Sequence, residues 1–254
     1  MTCVQDIYAY LQELAPLELQ MDFDNSGFLV GHRDTPVSRA LLALDITDAV
    51  IEEAVGKNAQ LIISHHPIIF HKLRTVSDDP ASAKVLKMVE CGLAAICMHT
   101  NLDIAQGGVN DVLLRTLGAS CEGPLDEDGC GRVGTLDAPL PLFDFLLRCR
   151  DALHTRGVRY VDAGRPVHRL AVMGGSGSGA LSAAAAKGCD TYVTADVSYH
   201  SFLDALDLGV NLIDADHFCT ENPVIPVLRE QLAARFPETE FCVSEKHHAL
   251  IAFL

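Results

Sequence analysis

Apolar runs and amphipathic stretches alternate along most of this chain. The apolar runs are typical of buried strands and lie at residues 28–31, 40–44, 61–63, 93–98, 170–173, 191–194, 210–215 and 249–254. Stretches with helical spacing of apolar residues lie at 2–15, 48–58, 81–90, 109–117, 140–153, 180–187, 201–208 and 223–236. This alternation predicts an α/β fold with mostly parallel sheets flanked by helices.

The strand and helix pattern is interrupted once. Residues 121–134 are rich in Gly, Asp and Glu and have little apolar content, which indicates a boundary or an exposed crossing. The spacing of strand ends is similar on both sides of it. We therefore predict two related α/β units, residues 1–125 with 218–254 and residues 126–217. The closing strand at 249–254 is expected to return to the first unit.

Composition narrows the class of protein. The chain has 254 residues, of which 49% are hydrophobic, so it can bury a substantial core. Its nine cysteines are odd in number and form no C-x-x-C pair, which argues against a disulfide framework or a cysteine zinc site. A formal net charge of -15 makes nucleic-acid binding an unfavourable hypothesis. With neither a signal-peptide pattern nor an apolar run of membrane-spanning length, we expect a cytoplasmic protein without membrane contact.

Two adjacent histidines follow the most apolar strand. Residues 61–63 run through Ser64 into His65 and His66, and Pro67 ends the strand. Such a pair can simply belong to a surface loop. However, Asp103 follows the strand at 93–98, and His217 and Glu221 follow the strand at 210–215. Because ligands gather beyond the carboxyl ends of strands in α/β sheets, we predict one site from these residues.

Imidazole and carboxylate groups together are ligands for divalent iron, zinc or manganese. His217 and Glu221 are four residues apart, so one helical turn would place them on the same face. Five ligands with two carboxylates among them suit two metal ions that share one bridging carboxylate. We predict a dinuclear metal centre at the junction of the two units.

Two further groups are candidates for chemistry. His99 and Asp45 also lie at strand ends, where they could orient ligands, act as catalytic acid or base, or hold substrate. A buried, hydrogen-bonded structural histidine is the alternative for His99. The run Gly174, Gly175, Ser176 and Gly177 lies between a strand and a helix, the usual place for a phosphate-binding backbone nest. A tight turn without a ligand is equally compatible with it.

Several motifs together resemble one family. They are Asp24-Asn25-Ser26-Gly27, Ser64-His65-His66-Pro67, His99-Thr100-Asn101-Leu102-Asp103, Gly174-Gly175-Ser176-Gly177, Thr194-Ala195-Asp196 and Asp216-His217-Phe218-Cys219-Thr220-Glu221. In this order they are similar to the NIF-three-like dinuclear metal-centre family, also named GTP cyclohydrolase 1 type 2 homologs. The resemblance implies two interlocked α/β units in a toroidal homohexamer. It also implies two metal ions per subunit on His65, His66, Asp103, His217 and Glu221, with the glutamate bridging.

The chain departs from the family pattern at two positions. Ala195 stands where the family usually has glycine, which costs little if the backbone there has a negative φ. Asp216 also stands where glycine is usual, and we expect its charge to alter the metal preference or the acidity of a bound water.

The expected function is that of an enzyme. We predict a dinuclear metal-dependent hydrolase in which a metal-activated water attacks a small nucleotide-like substrate. The alternative from another class is a non-catalytic, metal-binding hexameric scaffold or interaction protein.

Overall fold

A computed structural model of the chain describes residues 1–252 and 254. The chain divides into two compact units. The first comprises Met1–Ala105 and Ile225–His248, and the second comprises Gln106–Val224 and Ala249–Leu254. The predicted boundary at 125 therefore lies too late in the sequence, and the predicted boundary at 217 lies too early. Residues 109–116 form a helix on the sheet of the second unit, which moves the first boundary toward the N terminus.

The first unit is a sheet with helices packed against it. Its elements are α1 (Val4–Leu14), β1 (Gly27–Val30), β2 (Arg39–Ala43), α2 (Asp48–Gly56), β3 (Leu61–Ser64), α3 (Ala83–Glu90), β4 (Ala94–Cys97) and α4 (Thr100–Ile104). Two elements from the C-terminal part complete it, α10 (Val224–Arg235) and β11 (Glu240–Val243). The strand order is β1-β4-β3-β2-β11.

The strand register of this sheet brings the candidate site residues together at the carboxyl ends of its parallel strands. Strands β11, β2, β3 and β4 are parallel, and β1 runs antiparallel to β4. Ala43 pairs with Ser64, and Ser64 pairs with Cys97. The chain therefore leaves β2, β3 and β4 at the same level. Because β2 and β3 carry almost entirely buried residues on both faces, their ends are held firmly.

The second unit contains a mixed sheet. Its elements are α5 (Val109–Thr116), β5 (Ala119–Pro124), β6 (Arg132–Leu140), α6 (Leu142–Ala152), β7 (Arg159–Val161), β8 (Val167–Val172), α7 (Leu181–Ala186), β9 (Thr191–Thr194), α8 (Tyr199–Leu208), β10 (Asn211–Asp214) and α9 (His217–Glu221). The strand order is β5-β6-β8-β9-β10-β7. Only the β8–β9 and β9–β10 pairs of this sheet, as described, are parallel.

The two-sheet α/β prediction is therefore confirmed, whereas a mostly parallel arrangement holds for the first sheet alone. In the second, β6 is antiparallel to both of its neighbours, and β7 covers the far edge. The predicted crossing at 121–134 was wrong, because it contains most of β5 and the start of β6. Its polar composition has a physical cause: β5 is an edge strand, and Ser120, Cys121 and Glu122 are exposed.

The predicted closing strand was also wrong. Residues 249–252 and 254 form no strand, and Phe253 lies outside the described residues. The strand that joins the first sheet is β11, whose Glu240 forms an ion pair with Arg39 of β2. Ala249 instead packs against the apolar core of the second unit. The first helix begins at Val4 and not at Thr2, because the backbone N–H of Cys3 donates to Asp6 in the first turn.

Among the residues described, no helix combines the length and the apolar character that crossing a membrane requires.

Candidate metal centre

Three imidazoles meet at the carboxyl ends of the parallel strands in the first unit. His65 and His66 directly follow β3, and His99 follows β4. Each ring offers one ligand nitrogen, and these nitrogens lie within 4.8 Å of one another. His65 is fully buried, whereas His66 and His99 are partly exposed. A cation bound between these rings would therefore be accessible to solvent on the side of His66 and His99.

The Nδ1 atoms of these rings face oxygen atoms of the protein. His65 Nδ1 lies 2.8 Å from the carbonyl oxygen of Met98. Because a carbonyl only accepts hydrogen bonds, this nitrogen must carry the ring proton, and Nε2 is the candidate ligand atom. His66 Nδ1 lies 2.8 Å from Asp45 Oδ1, and His99 Nδ1 lies 2.7 Å from Asp24 Oδ1. An oxygen partner at Nδ1 fixes a ring so that Nε2 can bind metal.

Asp103 adds a carboxylate to this group. It lies in the short helix α4, and its Oδ1 is 3.7 Å from His65 Nε2. The helix follows His99 at once, so a single turn positions both side chains. His65, His66, His99 and Asp103, four of the residues predicted from strand ends, are therefore neighbours in the first unit.

Asp24 organises the turn beside His99. Its side chain accepts hydrogen bonds from the Ser26 hydroxyl at 2.8 Å and from the backbone N–H of Thr100 at 3.0 Å, besides its contact with His99. Burial alone would raise the pKa of Asp24, but the hydrogen bonds from His99 and Thr100 outweigh it and hold the pKa well below its usual value. The carboxylate is therefore ionised.

Asp45 plays the corresponding part for His66. Its two oxygens contact two rings, Oδ1 that of His66 at 2.8 Å and Oδ2 that of His247 at 3.1 Å. Burial would raise the pKa of this carboxyl group, but the hydrogen bonds from His247 and His66 lower it well below its usual value. Of the two residues predicted to do chemistry, Asp45 thus orients the ring of His66, and His99 lies within the imidazole group itself.

The second unit contributes an imidazole and a carboxylate on one helical turn. His217 and Glu221 are the first and last residues of α9, and Nε2 of the histidine lies 3.2 Å from Oε2 of the buried glutamate. On the other side of the ring, Nδ1 lies 2.7 Å from Asp196. The hydrogen bond to Glu221 raises the pKa of His217 to about 9 despite its partial burial, and Asp196 adds to this effect.

The glycine run packs directly beneath these two side chains. A Cβ atom on Gly175 would lie 2.1 Å from Glu221 Oε1 and 3.2 Å from His217 Cε1, and its φ is +65°. The backbone N–H groups of Gly174, Gly175 and Gly177 donate to the side chains of Asn110, Thr220 and Thr194, respectively. These donors already have partners inside the protein. The geometry thus favours the tight turn over the phosphate nest, which stays a prediction.

Both departures from the family pattern have a local explanation. Asp216 has a φ of +71°, a region that favours glycine, and its carboxylate accepts from the N–H of Cys219 at 3.1 Å. It is 6% exposed and caps the start of α9. Ala195 is absent from the described non-glycine residues with positive φ, whereas Asp196 has a φ of 52°. The alanine therefore carries no backbone strain.

The residues present fit a divalent metal ion. In the first unit, His65, His66 and His99 have Nδ1 directed at a carbonyl or carboxylate oxygen, so Nε2 is the candidate ligand atom of each ring. In the second unit, His217 has Nδ1 directed at Asp196 in the same way. Asp103 and Glu221 supply oxygen donors from inside the protein. Mixed nitrogen and oxygen donors suit zinc, iron or manganese.

Comparison with known proteins finds relatives that match almost the whole chain. The family model described as Duf34/NIF3 (NGG1p interacting factor 3) matches residues 2–249. The chain belongs to the NIF3 family. This NIF3 chain is 32% identical over 252 residues to a GTP cyclohydrolase 1 type 2 homolog of Clostridium perfringens, with 96% of each chain covered. It is 31% identical over 237 residues to a Helicobacter pylori protein named GTP cyclohydrolase 1 type 2, covering 91% of this chain and 92% of that one.

A solved structure resembles the NIF3 chain over its full length. A hypothetical protein of Staphylococcus aureus superposes with a TM-score of 0.92 at 27% identity, covering 99% of both chains. The family and the fold are thereby shown.

Sequence patterns missed three groups that orient the NIF3 site. The sequence motifs include Asp24 and Asp196 but assign neither of them a contact, and they do not include His247. Asp24 contacts His99 across 75 positions in sequence, and Asp196 contacts His217 across 21. His247 contacts Asp45, which lies 202 positions away. Periodicity carries no signal for such contacts.

Proposed function

We propose that this protein is a hydrolase that depends on two divalent metal ions, held by His65, His66, Asp103, His217 and Glu221. The observation that carries the proposal is the common orientation of His65, His66 and His217, each with Nδ1 against an oxygen, so that Nε2 is the ring atom that a metal ion would take. In His217 the metal would replace the proton that Nε2 shares with Glu221. When bound, a pair of such cations lowers the pKa of a water molecule and polarises the bond under attack.

His99 is the group that we propose to move protons. Its Nδ1 is held by the ionised Asp24, an arrangement that stabilises the ring when Nε2 takes up a proton. His99 can thus accept a proton from the attacking water and return it to the leaving group. The neighbouring pair of His66 and Asp45 resembles it in geometry, but we assign that pair to metal binding.

The proposed substrate is a small nucleotide-like molecule. Several relatives are named for a GTP cyclohydrolase, and one of them carries that name without the word homolog. Two phenylalanines of the first unit support a planar ring in the substrate: Phe23 is 67% and Phe70 is 40% exposed. Their rings are 6.4 Å apart, and that of Phe70 lies 6.0 Å from His99. Exposed aromatic faces of this kind stack on bases.

The activity can be tested on the pure protein after stripping and restoring its metals. We expect manganese, iron or zinc to restore hydrolysis of GTP or of a member of a phosphoester panel. The His66→Ala variant should lose at least 100-fold in kcat/KM, and His200→Ala, at an exposed histidine, should keep it. Metal uptake without turnover on any compound would favour the non-catalytic scaffold instead.

Base recognition has a separate test. Phe70→Ala should raise KM for a nucleotide about fivefold or more, since one stacked base is worth about 1–3 kcal/mol. Phe143, which is 66% exposed and lies in the second unit, provides the matched control. Equal KM values for both alanine variants would remove the aromatic pair from the proposal.

We also propose the homohexamer that the family resemblance implies. Six copies of a 27.4 kDa chain would have a mass of about 164 kDa. Light scattering coupled to gel filtration measures this directly, and a monomer mass would exclude it.

A further inference from the structure

The segment that follows β11 is fastened to the first unit close to Asp45. Glu53 of α2 accepts hydrogen bonds from the Ser244 hydroxyl at 2.5 Å and from the backbone N–H of Glu245 at 3.0 Å. Glu53 is itself only 9% exposed. These contacts fix the backbone of the segment two residues before His247.

Both ring nitrogens of His247 contact Asp45. Nε2 lies 3.1 Å from Oδ2 of Asp45, and Nδ1 lies 3.4 Å from its backbone N–H. A ring that donates from Nε2 and accepts at Nδ1 satisfies both contacts in its neutral form. His247 is 8% exposed, whereas the adjacent His248 is exposed.

Asp45 needs such an anchor because water can reach it. Its side chain is 42% exposed, and rotation about its terminal bond is soft. One hydrogen bond to His66 leaves the carboxylate free to turn toward solvent. A second hydrogen bond at the other oxygen holds the carboxylate plane, and thereby keeps Oδ1 aimed at His66 Nδ1.

We propose that His247 is a positioning residue for the metal centre, which acts through Asp45 on the ligand His66. The chain of contacts runs from His247 Nε2 to Asp45 Oδ2, and from Asp45 Oδ1 to His66 Nδ1, an orientation in which Nε2 of His66 would be the atom that holds a metal ion. The C-terminal segment thereby sets metal affinity from 202 positions away in sequence. The inference rests on the metal binding of the proposed function, but not on its catalysis.

The test replaces the ring while keeping its volume. His247→Phe retains an aromatic ring of similar size but has no donor, and His247→Gln restores a donor on a flexible side chain. Zinc affinity is measured by competition with a fluorescent chelator, and the visible absorption of bound Co²⁺ reports the geometry. We expect His247→Phe to lower the zinc affinity of the more strongly affected metal site about 10- to 100-fold, as removal of such outer partners does. The variant should also shift the Co²⁺ spectrum. Gln should recover part of the loss, and His248→Phe should behave as the wild type.

A double-mutant cycle distinguishes positioning from general damage. In an Asp45→Asn background the effect of His247→Phe should largely disappear, because the proposed route runs through that carboxylate. An undiminished effect in this background, or wild-type affinity in His247→Phe itself, overturns the inference. Metal binding without hydrolysis by the wild type would refute only the catalytic proposal. Failure of the wild type to bind zinc or Co²⁺ would overturn both.

Discussion

At the scale of single residues, each candidate ligand histidine depends on the oxygen atom that its Nδ1 contacts, because this contact sets the direction of Nε2. Asp24, Asp45, Asp196 and the Met98 carbonyl fix four rings through Nδ1. An imidazole that must be ordered on metal binding loses rotamer freedom, and a ring already held loses less. The candidate ligand rings of each unit are therefore largely prearranged by oxygen acceptors that we do not propose as ligands.

Gly175 offers a direct test of this order in the second unit. In Gly175→Ala the new methyl group would collide with Glu221, and alanine would have to adopt a φ of +65°. We expect the variant to bind metal at least tenfold more weakly and to lose about 2–3 kcal/mol of unfolding free energy. Zinc titration and urea unfolding measure the two effects.

The matched control lies four residues further along the chain. A Cβ atom on Gly179 would meet nothing within 4 Å, so Gly179→Ala should bind metal as the wild type does. Should both alanine variants retain full affinity, close packing of the glycine against Glu221 would not matter for metal binding.

At the scale of elements, a short helix in each unit positions candidate ligands. α4 and α9 contain five residues each, too few to be stable alone, and their first turns are fixed by what precedes them. The residue that precedes α9 is Asp216, which caps the helix from a backbone conformation that favours glycine. The carboxylate therefore has a structural role that the sequence did not indicate, while its expected influence on the metals remains a prediction.

Substitutions at Asp216 separate the cap from the backbone strain. Asp216→Ala loses the hydrogen bond to Cys219 N–H and keeps the strain, which should lower the unfolding free energy of the metal-free protein by about 1–2 kcal/mol. Asp216→Gly also loses the cap but relieves the strain, and should be more stable than the alanine variant by about 1 kcal/mol. Urea unfolding of both variants measures the order, and an alanine variant as stable as the glycine one would contradict it.

At the scale of the whole molecule, metal binding and folding are linked. A ligand that binds only the folded chain at 100 times its Kd adds about 2.7 kcal/mol of stability. For a chain of this size we expect zinc to raise the melting temperature by about 5–10 °C and EDTA to reverse the rise. Differential scanning calorimetry provides the measurement.

The control for this linkage is again a pair of histidines. His65→Gln should lose most of the zinc-dependent rise, because it removes a fully buried ligand, while exposed His248→Gln should keep it. A melting temperature of the wild type that ignores both zinc and EDTA would count against metal binding by the native fold.

Much of the first unit could be predicted from the sequence because its signals are local. Its parallel strands are short apolar runs buried on both faces, and their ends are marked by polar residues such as Asp45 and His65. The second unit was less predictable. Its edge strand β5 is polar because one side faces solvent, so it resembled a linker. The strand β11 was missed because only Phe241 in it is buried.

The sequence by itself determined the α/β class, most helices and parallel strands, and the residue types suited to metal, since hydrophobic periodicity and strand-end chemistry are local properties of the chain. Only the tertiary structure decided which oxygen holds which ring. Contacts such as Asp24 with His99 and His247 with Asp45 join segments separated by 75 and 202 positions. They exist because parallel strands in register end at one level and bring distant loops together, and no pattern along the chain encodes that distance.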